Sequence, residues 1–498
     1  MQYAIAVIDI GMTNKKVAVY DERLRQLDAK YRIFDPLIVN GLQCHDLEAM
    51  EDWFLEELAA AGKQFPVKAI AVCTHGATFV CLAGDKAALP CVYYTHEPGR
   101  DFHDRFYEQC GCALELQTVT GTAAFDAMIN PAKGIFFARE QFPDAFNHVG
   151  AVLPYPQYWG FRLTGQYGAE STYMGCHTYL WDQVHNCPSS VARDLGIAPI
   201  LPGKLNKSWD VLGTISEQVI ARTQLAPDTI VTMGIHDSNA ALLPHFAKRG
   251  ETGFTLNSTG TWCVMMNPVQ HYGFAPEELG KVVFFNISAF GTPVKTAIFL
   301  GGQEFELWSK ILMSAHKRDD IPPYDEAHYR KILKAANCFL LPELQAGSGQ
   351  FPGSIPRIEE GGKTWAYEAI CAGTLPPCFT DYEHGFAVLR ISLVMQSLVA
   401  LERSGLESGS AVITEGGFRR NKGYNVLLSA ALRNNKVYLT GIAEASALGA
   451  AMTAKMALTT KSLAELAVDL EVQYQEVEKA DIPEIFSYRK AWMNRVMT

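Results

Sequence analysis

Four short segments of this chain combine residue types that could bind and transfer a phosphoryl group. Their sequences are DIGMTNKK at residues 9–16, GIHDSN at 234–239, STGT at 258–261 and EGG at 415–417. Phosphoryl transfer depends mainly on positioning the reactants and on stabilising the charge that spreads over the phosphate oxygens. The residues to look for are therefore phosphate donors, a cation, and a carboxylate that holds the attacking hydroxyl.

The first segment offers an anion site and a carboxylate together. Gly11 lets backbone N–H groups approach an anion, Thr13 adds a hydroxyl and Lys16 adds a positive charge. Asp9 could orient a hydrated magnesium ion, which prefers oxygen ligands. Asp-x-Gly after an apolar run is also typical of an ordinary hairpin turn, so this segment alone leaves both interpretations open.

The third segment has the same ambiguity. Thr259, Gly260 and Thr261 could bind phosphate through N–H and O–H donors, or they could simply form a turn. The first and third segments each lie between two apolar runs, in matching places in the two halves of the chain. This match favours a shared role in binding phosphate.

The fourth segment follows an apolar run and precedes a helical pattern. Gly416 and Gly417 would let the backbone lie flat against a planar ring or approach a phosphate, although an ordinary tight turn is an alternative. The basic side chains of Arg419, Arg420 and Lys422, a few residues later, are typical of a solvated face.

The second segment carries the candidate general base. Asp237 follows the apolar run at residues 229–233, and the mouth of an α/β sheet is a common place for such a group. It could take a proton from an attacking hydroxyl, or it could cap a helix that begins at Ser238. His236 could polarise the substrate or fill a polar gap. His75 is either a ligand for a polyol or a buried core histidine.

The elements that must position these residues alternate between strand and helix, which favours an α/β fold. Apolar runs at residues 3–8 and 17–20 predict a hairpin around the first segment. Residues 46–61 predict a helix that its first residue caps and that ends before Gly62. A strand is predicted at residues 67–72.

The pattern restarts near the middle of the chain. Apolar runs at residues 253–256 and 262–266 flank the third segment, as the first pair flanks the first. We therefore expect two lobes, residues 1–245 and 246–498, that duplicate one α/β unit. Each lobe should carry one of the two small-residue loops.

The second half closes with a regular unit and a more charged tail. The predicted elements are a helix at 386–403, a strand at 411–414, a helix at 424–432, a strand at 437–439 and an alanine-rich helix. The charged residues at 456–498 predict surface helices, and the Gly- and Pro-containing stretch at 347–353 predicts a loop.

Composition limits the function classes. The 498 residues include 43 Lys and Arg against 53 Asp and Glu, so the net charge of -10 gives no basic footprint for nucleic acid. We expect no membrane span and no secretory signal. The 12 cysteines contain no CxxC pair, which favours reduced thiols in a cytoplasmic protein and predicts no zinc site.

In their order, the motifs resemble the FGGY family of carbohydrate kinases. Further matches are the stretch that ends in Arg-Leu-Thr-Gly at residues 162–165 and the Ala-Leu-Gly-Ala-Ala helix at 447–451. Together the motifs run from residue 9 to about residue 452, nearly the whole chain. Each match is loose, but five or six in the right order are specific.

The resemblance implies an α/β fold of two actin-like, ribonuclease H-like lobes, with ATP and Mg2+ bound in the cleft between them. It implies Asp237 as the catalytic base and Asp9 as the residue for magnesium. The residues that it assigns to ATP are Gly11, Thr13, Asn14 and Lys16 in the first phosphate loop, Thr259, Gly260 and Thr261 in the second, and Gly416, Gly417 and Asn421 at the adenosine.

The sugar-side motifs are a mosaic. His236-Asp237, Gly260-Thr261-Trp262 and the first loop resemble the rhamnulose and fuculose kinases, which act on 6-deoxy-ketohexuloses, whereas the His-Gly-Ala-Thr sequence that begins at His75 resembles the xylulose kinases. After Tyr94 the chain departs from the family pattern. Our candidates for contact with the sugar are His75, Gly76, Glu97, His96, Arg100 and His236.

We therefore expect phosphorylation of a primary hydroxyl of a ketose, first of all a 6-deoxy-ketohexulose. The alternatives are a ketopentose kinase and a non-catalytic actin-like sensor of sugar or nucleotide; an actin- or chaperone-like ATPase is a weaker one. The expected partner is a small-molecule sugar, with no nucleic acid and no membrane. Because related kinases are often dimers, a homodimer stays open.

Overall fold

The computed structural model describes residues 2–345, 347–442 and 444–496, and it contains two lobes built around two seven-stranded sheets. The strands of the first lobe are β1 (Ala4–Ile10), β2 (Asn14–Asp21), β3 (Gln26–Ile33), β4 (Leu37–Val39), β5 (Leu42–Cys44), β6 (Val67–Thr74), β7 (Phe79–Ala83), β8 (Lys86–Ala87), β9 (Ala151–Pro154), β10 (Trp181–Asp182), β11 (Cys187–Pro188), β12 (Val211–Thr214), β13 (Ile230–Thr232) and β14 (Ile235–His236). The helices up to the second lobe are α1 (Leu47–Gln64), α2 (Arg100–Cys110), α3 (Ala113–Thr120), α4 (Pro131–Gln141), α5 (Pro143–Phe146), α6 (Tyr155–Thr164), α7 (Ser171–Met174), α8 (Ser190–Asp194), α9 (Glu217–Thr223) and α10 (Asp237–Arg249), with a 3-10 turn at Ala198–Ile200.

The second lobe has its own strands and helices. The strands are β15 (Phe254–Thr259), β16 (Cys263–Pro268), β17 (Val283–Ile287), β18 (Pro293–Phe299), β19 (Cys338–Leu341), β20 (Arg357–Glu360), β21 (Lys363–Ala366), β22 (Ala411–Gly416), β23 (Lys436–Thr440) and β24 (Tyr474–Glu476). The helices are α11 (Gly301–His316), α12 (Glu326–Ala335), α13 (Tyr367–Cys371), α14 (Tyr382–Arg403), α15 (Lys422–Ala431), α16 (Ala445–Thr459), α17 (Leu463–Leu466) and α18 (Glu484–Val496), with 3-10 turns at Pro276–Glu278, Pro377–Phe379, Gly417–Arg420 and Ala467–Asp469.

The two large sheets repeat one topology. In the first, β1, β2 and β3 are antiparallel neighbours, and β6 and β13 continue the sheet in parallel with β1. In the second, β15, β16 and β18 are the antiparallel neighbours, and β22 and β23 run parallel with β15. This repeat confirms the predicted duplicated α/β architecture, including both hairpins.

One prediction about a helix is wrong for an identifiable reason. The helix α1 does not end before Gly62 but runs to Gln64, and an added Cβ at Gly62 would lie 2.6 Å from the side chain of Leu225. Glycine is therefore needed there for close packing. The C-terminal helix α18 buries one face, with Tyr488 and Trp492 fully buried in the core of the second lobe, and leaves Ser487 and Lys490 exposed on the other.

Helix α14 is the one described helix that is long and apolar enough to cross a membrane, with a mean hydropathy of 1.5 over its most apolar window. That window is 94% buried inside the protein. Helix α14 is apolar because it is the central helix in the core of the second lobe.

The two lobes meet where α10 and α16 cross. Helix α16 packs on β1 and β6 of the first sheet, and α10 contacts the second lobe, where His245 Nε2 lies 3.3 Å from Glu415 Oε2. An added Cβ at Gly449 would lie 1.9 Å from the carbonyl oxygen of Ala240, so the helix backbones touch at this point. The predicted lobe boundary at 245/246 lies inside α10.

The variant Gly449→Ala tests this crossing. We expect a loss of about 1–3 kcal/mol in the free energy of unfolding, because the new methyl group forces the helices apart. Thermal and urea unfolding measure it. The control is Gly134→Ala, at a helical site with open space around the new Cβ, which should stabilise the protein by up to ~1 kcal/mol. Equal changes in the free energy of unfolding for the two variants would contradict a close contact between the helix backbones.

Candidate active site

The hairpin of β1 and β2 holds a buried ion pair at its turn end, in the interior of the first sheet. Its register places Asp9 opposite Lys16, and Lys16 Nζ lies 2.8 Å from Asp9 Oδ2. Lys16 also donates to Glu444 from the second lobe. Burial opposes the positive charge of Lys16, but the carboxylates of Asp9 and Glu444 outweigh it and raise the pKa of Lys16.

The start of α16 completes this network. Ser446 Oγ donates to Asp9 Oδ2 over 2.8 Å, and Tyr31 donates to Glu444 Oε1 over 3.0 Å. Glu444 has a φ of +62°, in the left-handed region that residues other than glycine seldom adopt. Sequence analysis missed Glu444 and Ser446, because they lie more than 400 residues from the loop they contact.

The first predicted phosphate loop forms the turn between β1 and β2. The N–H of Gly11 donates to the carbonyl of Asn14 over 3.0 Å, and Thr13 and Asn14 are exposed. Lys15 is buried instead of exposed, and its Nζ donates to the carbonyl of Met12 over 2.7 Å. Burial lowers the pKa of Lys15 to about 8, which makes it a second cation at this turn that sequence analysis did not single out.

Asp237 is the first residue of α10, so the helix begins one residue earlier than the capping hypothesis placed it, and His236 takes the N-cap position. Its side chain is 30% exposed, and its Oδ1 accepts from the N–H of Ser238 at 2.5 Å and from the Ser238 hydroxyl at 3.2 Å. Burial and the charge of Asp9 raise the pKa of Asp237 to about 7 against these hydrogen bonds. The carboxyl group is therefore suited to accept a proton near neutral pH.

Histidines gather beside Asp237. His236 Nε2 lies 3.3 Å from Asp237 Oδ1 and 3.7 Å from Cys176 Sγ. An added Cβ at Gly76 would lie 2.7 Å from His177 Nε2 and 3.1 Å from His236 Nε2, so only glycine fits between the two rings. Cys176 and His177 carry no motif that sequence analysis could have used.

These imidazoles are neutral groups in a buried setting. Burial lowers the pKa of His75 to about 4, that of His177 to about 4, and that of His236 well below its usual value. His75 Nδ1 lies 2.6 Å from the carbonyl of Gly76, and its buried Nε2 has no hydrogen-bond partner among the described residues. A neutral imidazole with a free nitrogen can pair with a sugar hydroxyl.

A buried chain of hydrogen bonds fixes His236. Glu170 Oε1 accepts from the hydroxyl of Thr172 over 2.8 Å, and that hydroxyl accepts from the N–H of His236 over 3.0 Å. Glu170 Oε2 also accepts from Ser208 over 2.9 Å. Glu170 is thus placed to support the site from behind rather than to contact a ligand.

The other predicted sugar contacts lie in a different environment. Glu97 accepts from the N–H groups of Ala127 and Gly99 and from His103, so its carboxylate holds a loop. Arg100 is 91% exposed, 3.8 Å from Asp104. The ring centroid of His96 lies 5.1 Å from that of Phe137.

Glu97 and Arg100 line a cavity of about 750 Å³ whose walls come from both lobes, including Trp262 and Ser348 from the second. His96 is not among its lining residues. The aromatic rings of Phe125 and Phe284 pack beside this cavity across the lobes, with centroids 5.8 Å apart.

The second lobe has a cavity of about 580 Å³ where the third and fourth segments meet. Its lining includes the predicted residues Thr259, Gly260, Thr261, Gly417 and Asn421. Apolar walls come from Phe305, Ile321, Pro322 and Phe418, and polar walls from Arg420 and Lys422. The two basic residues therefore face a cavity instead of belonging only to a solvated face.

The backbone at this cavity depends on two glycines. Gly416 has a φ of +79°, and an added Cβ there would lie 2.2 Å from the carbonyl oxygen of Thr259. An added Cβ at Gly302 would lie 1.8 Å from the carbonyl oxygen of Gly260. The hydroxyl of Thr259 is already engaged, since it donates to the carbonyl of Glu415 and accepts from the N–H of Phe418.

The donor sets fit a nucleotide and a hydrated magnesium ion. Apolar walls with basic residues suit a base and its phosphates, and the N-termini of α11 and α15 both lie at the cavity. The carboxylates of Asp9 and Asp237 are close enough that the charge of Asp9 raises the pKa of Asp237, and they are the hard oxygen ligands that Mg2+ prefers.

Comparison with known proteins gives consistent matches over nearly the whole chain. Residues 4–244 match the model of the FGGY family of carbohydrate kinases, N-terminal domain, and residues 251–462 match that of carbohydrate kinase FGGY, C-terminal domain. No curated protein sequence matches the chain significantly.

Three solved structures illustrate the structural likeness. A carbohydrate kinase from Novosphingobium aromaticivorans is 26% identical, with a TM-score of 0.82 and coverage of 99% of this chain and 98% of that one. The ligand-bound xylulose kinase from Lactobacillus acidophilus is 14% identical, with a TM-score of 0.81 and coverages of 99% and 96%. The glycerol kinase from Plasmodium falciparum with ADP is 15% identical, with a TM-score of 0.74 and coverages of 99% and 97%. At these identities the last two establish the fold alone.

The raised pKa of Asp237 has a consequence for stability. The folded state retains the proton of this carboxyl up to about pH 7, whereas the unfolded state loses it near pH 3.8. The stability that this retained proton gives to the folded state is therefore fully present below about pH 3.8. It is lost as the pH rises to 7. We expect Asp237→Asn to be more stable than the wild type by about 1–2 kcal/mol above pH 7, a value discounted because solvent screens the partly exposed group.

Urea unfolding at several pH values checks this expectation. The gain should shrink toward zero near pH 4. The control is Asp228→Asn, which removes an exposed carboxylate 2.9 Å from Lys68 and should bring no gain. A gain for Asp237→Asn that does not change with pH would contradict the assignment of a raised pKa.

Proposed function

Since the chain belongs to the FGGY family of carbohydrate kinases and is a carbohydrate kinase with two actin-like, ribonuclease H-like lobes, we propose that it transfers the γ-phosphoryl group of ATP to a primary hydroxyl of a ketose. The observation that carries this proposal is Asp237, a carboxyl group with a pKa of about 7 at the start of α10. Asp237 lies beside neutral imidazoles, and the negative charge of Asp9 helps to raise its pKa.

In the proposed reaction, Asp237 holds the sugar hydroxyl in line and takes its proton. The hydroxyl oxygen forms the new bond to the γ-phosphorus, the bond between that phosphorus and the β,γ-bridging oxygen breaks, and ADP leaves. A base with a pKa near the working pH is effective because it is largely deprotonated yet still basic. The hydrogen bonds from Ser238 fix the direction of the carboxylate.

We propose that the nucleotide lies against the cavity of the second lobe. Gly417 and Asn421 line this cavity, and Gly416 shapes the turn before them, which supports a place for the adenosine against backbone that carries no side chains. The N–H of Thr261 would hold phosphate oxygens from this side, with Thr13 and Asn14 on the other. The N–H groups of Gly11 and Gly260 donate to the carbonyls of Asn14 and Trp262, so these glycines would shape the two loops around the phosphates. Since the hydroxyl of Thr259 is engaged, its role is to hold the loop in shape.

Asp9 is the residue that would hold magnesium, which when bound neutralises charge on the phosphate oxygens. Lys16 would then act mainly through Asp9, since its ammonium group bridges Asp9 and Glu444. Lys15 supplies a second cation close to the same turn.

For the sugar, the structure supports His75, Gly76 and His236, with His177 added to them. Their neutral rings and the carboxylate of Asp237 provide donors and acceptors for several hydroxyls, which matters because each buried hydroxyl left unpaired costs roughly 1–3 kcal/mol. Glu97 and Arg100 would act at the wall of the larger cavity, and His96 would act through packing.

Among ketoses we propose a 6-deoxy-ketohexulose, on the His236-Asp237 and Gly260-Thr261-Trp262 motifs. The His-Gly-Ala-Thr sequence at His75 supports the alternative, a ketopentose. We further propose a cytoplasmic location and a possible dimeric state as for related kinases.

The base assignment predicts the kinetics of Asp237→Asn. Loss of a general base lowers rates by about 10²–10⁴-fold, so kcat should fall by that amount while ATP binding is retained. In the wild type, kcat/KM should rise with pH through an apparent pKa near 7. A coupled ADP-release assay measures both. Asp228→Asn should keep normal turnover, and near-normal kcat in Asp237→Asn would exclude the role of base.

The substrate class is tested with ATP, magnesium and a panel of rhamnulose, fuculose, xylulose and ribulose. We expect the highest kcat/KM for one of the two 6-deoxy sugars. A preference for xylulose or ribulose would establish the ketopentose alternative. Binding of ATP and ketoses without phosphorylation of any of them would favour a non-catalytic sensor.

A further inference from the structure

A second cluster of metal-binding side chains lies in the second lobe, built from residues outside the candidate active site. Cys338 begins β19, and the antiparallel register places it opposite Glu360 at the end of β20. Cys378 lies in the 3-10 turn Pro377–Phe379. The two sulfurs and a carboxylate oxygen of Glu360 all lie within 4.8 Å of one another.

Both thiols are buried, with Cys338 only 1% and Cys378 only 3% exposed. The carboxylate of Glu360 is oriented toward them, since its Oε2 accepts from the N–H of Cys378 over 2.8 Å. Two sulfurs that ligate one zinc ion lie about 3.8 Å apart when each Zn–S bond is about 2.3 Å. The upper limit of 4.8 Å on the separations in this cluster is within about 1 Å of that spacing.

A histidine lies beside this cluster of three side chains. His384 lies in the first turn of α14, where its imidazole interacts with the side chain of Cys338. Its Nε2 atom is buried and forms no hydrogen bond with the residues the structure describes. Burial of such an atom without a partner is unfavourable, and a metal ion would satisfy it.

We propose that the second lobe holds a structural zinc ion, with these four ligands: Cys338, Glu360, Cys378 and His384. Thiolates with an imidazole select zinc over magnesium or calcium, and four protein ligands fill a tetrahedral shell. With the shell filled, the ion has no open position for a substrate. Its role is to hold the fold.

The four proposed zinc ligands connect several elements of the second lobe, and these are the elements that the ion would stabilise. They join β19 and β20, the turn before α14 and the first turn of α14 itself. From α14, Arg390 donates to Tyr329 Oη and to the carbonyl of Pro322, each over 2.9 Å, and Pro322 lines the 580 Å³ cavity. The ion would therefore anchor the helix that supports one wall of that cavity.

Spacing in the sequence concealed this site. The four ligands stretch from residue 338 to residue 384, on two strands, a turn and a helix, and no two cysteines form a CxxC pair. The expectation of no zinc site followed from that spacing alone. Strand pairing and the packing of α14 bring the ligands together.

Metal analysis of the full-length protein tests the proposal. After expression with added zinc and dialysis against zinc-free buffer, we expect one zinc ion per chain by mass spectrometry of the elements. Exchange with cobalt should give the visible absorption of tetrahedral, thiolate-ligated Co2+, a readout that needs no variant and no assay of activity. Removal of the metal with a chelator should lower the unfolding temperature, because binding free energy contributes to folding.

The variants Cys378→Ser and His384→Asn should each reduce the zinc content to a small fraction and abolish the cobalt spectrum. The matched control is Cys371→Ser, an exposed cysteine seven residues before Cys378, which should retain one zinc ion. A wild-type protein without zinc, or one in which mass spectrometry finds Cys338 and Cys378 joined by a disulfide, would overturn the proposal. Full zinc content in both variants would overturn it equally.

Discussion

The close crossing of α10 and α16 is the contact on which the candidate active site depends. Gly449 touches the backbone of Ala240, about one helical turn from the start of each helix. At those starts lie Asp237 on one side and the residues that bind Asp9 on the other. One contact between backbones thus sets the separation of the two carboxylates, and a side chain at Gly449 would change it. This explains why the shared apolar core of the two lobes is centred on these helices.

Electrostatics at the crossing divides the ionisable groups into two kinds. The ammonium group of Lys16 lies between the carboxylates of Asp9 and Glu444, so its positive charge is paired on both sides. Around Asp237 lie neutral imidazoles, and burial together with the charge of Asp9 raises the pKa of its carboxyl group to about 7. A cation at His236 would make Asp237 a weaker base. The overall charge of -10 has little bearing on either group, because solvent screens charges beyond about 10 Å.

Sequence patterns predicted the parts of this structure that depend on local periodicity. Both hairpins, the capped start of α1 and the strand before Asp237 follow from short apolar runs and their flanking residues. They did not predict His177 or Glu444, because neither has a local signal and both reach the site through packing between distant segments. The composition of the charged C-terminal segment gave no sign that α18 buries Trp492 on one face. The ligands around Cys338 likewise become neighbours only after the strands pair.

The two lobes support their halves of the site by different means. In the first lobe, a buried carboxylate, Glu170, orders Thr172 and through it the backbone of His236. In the second lobe, the hydroxyl of Thr259 ties β15 to the turn after β22, which leaves the small residues beyond it to face the cavity without side chains of their own. Both arrangements use a polar side chain to fix backbone instead of to bind a ligand. A site built from fixed backbone and neutral rings would lose little conformational entropy when a ligand binds, so more of the binding energy is available to orient the reacting hydroxyl.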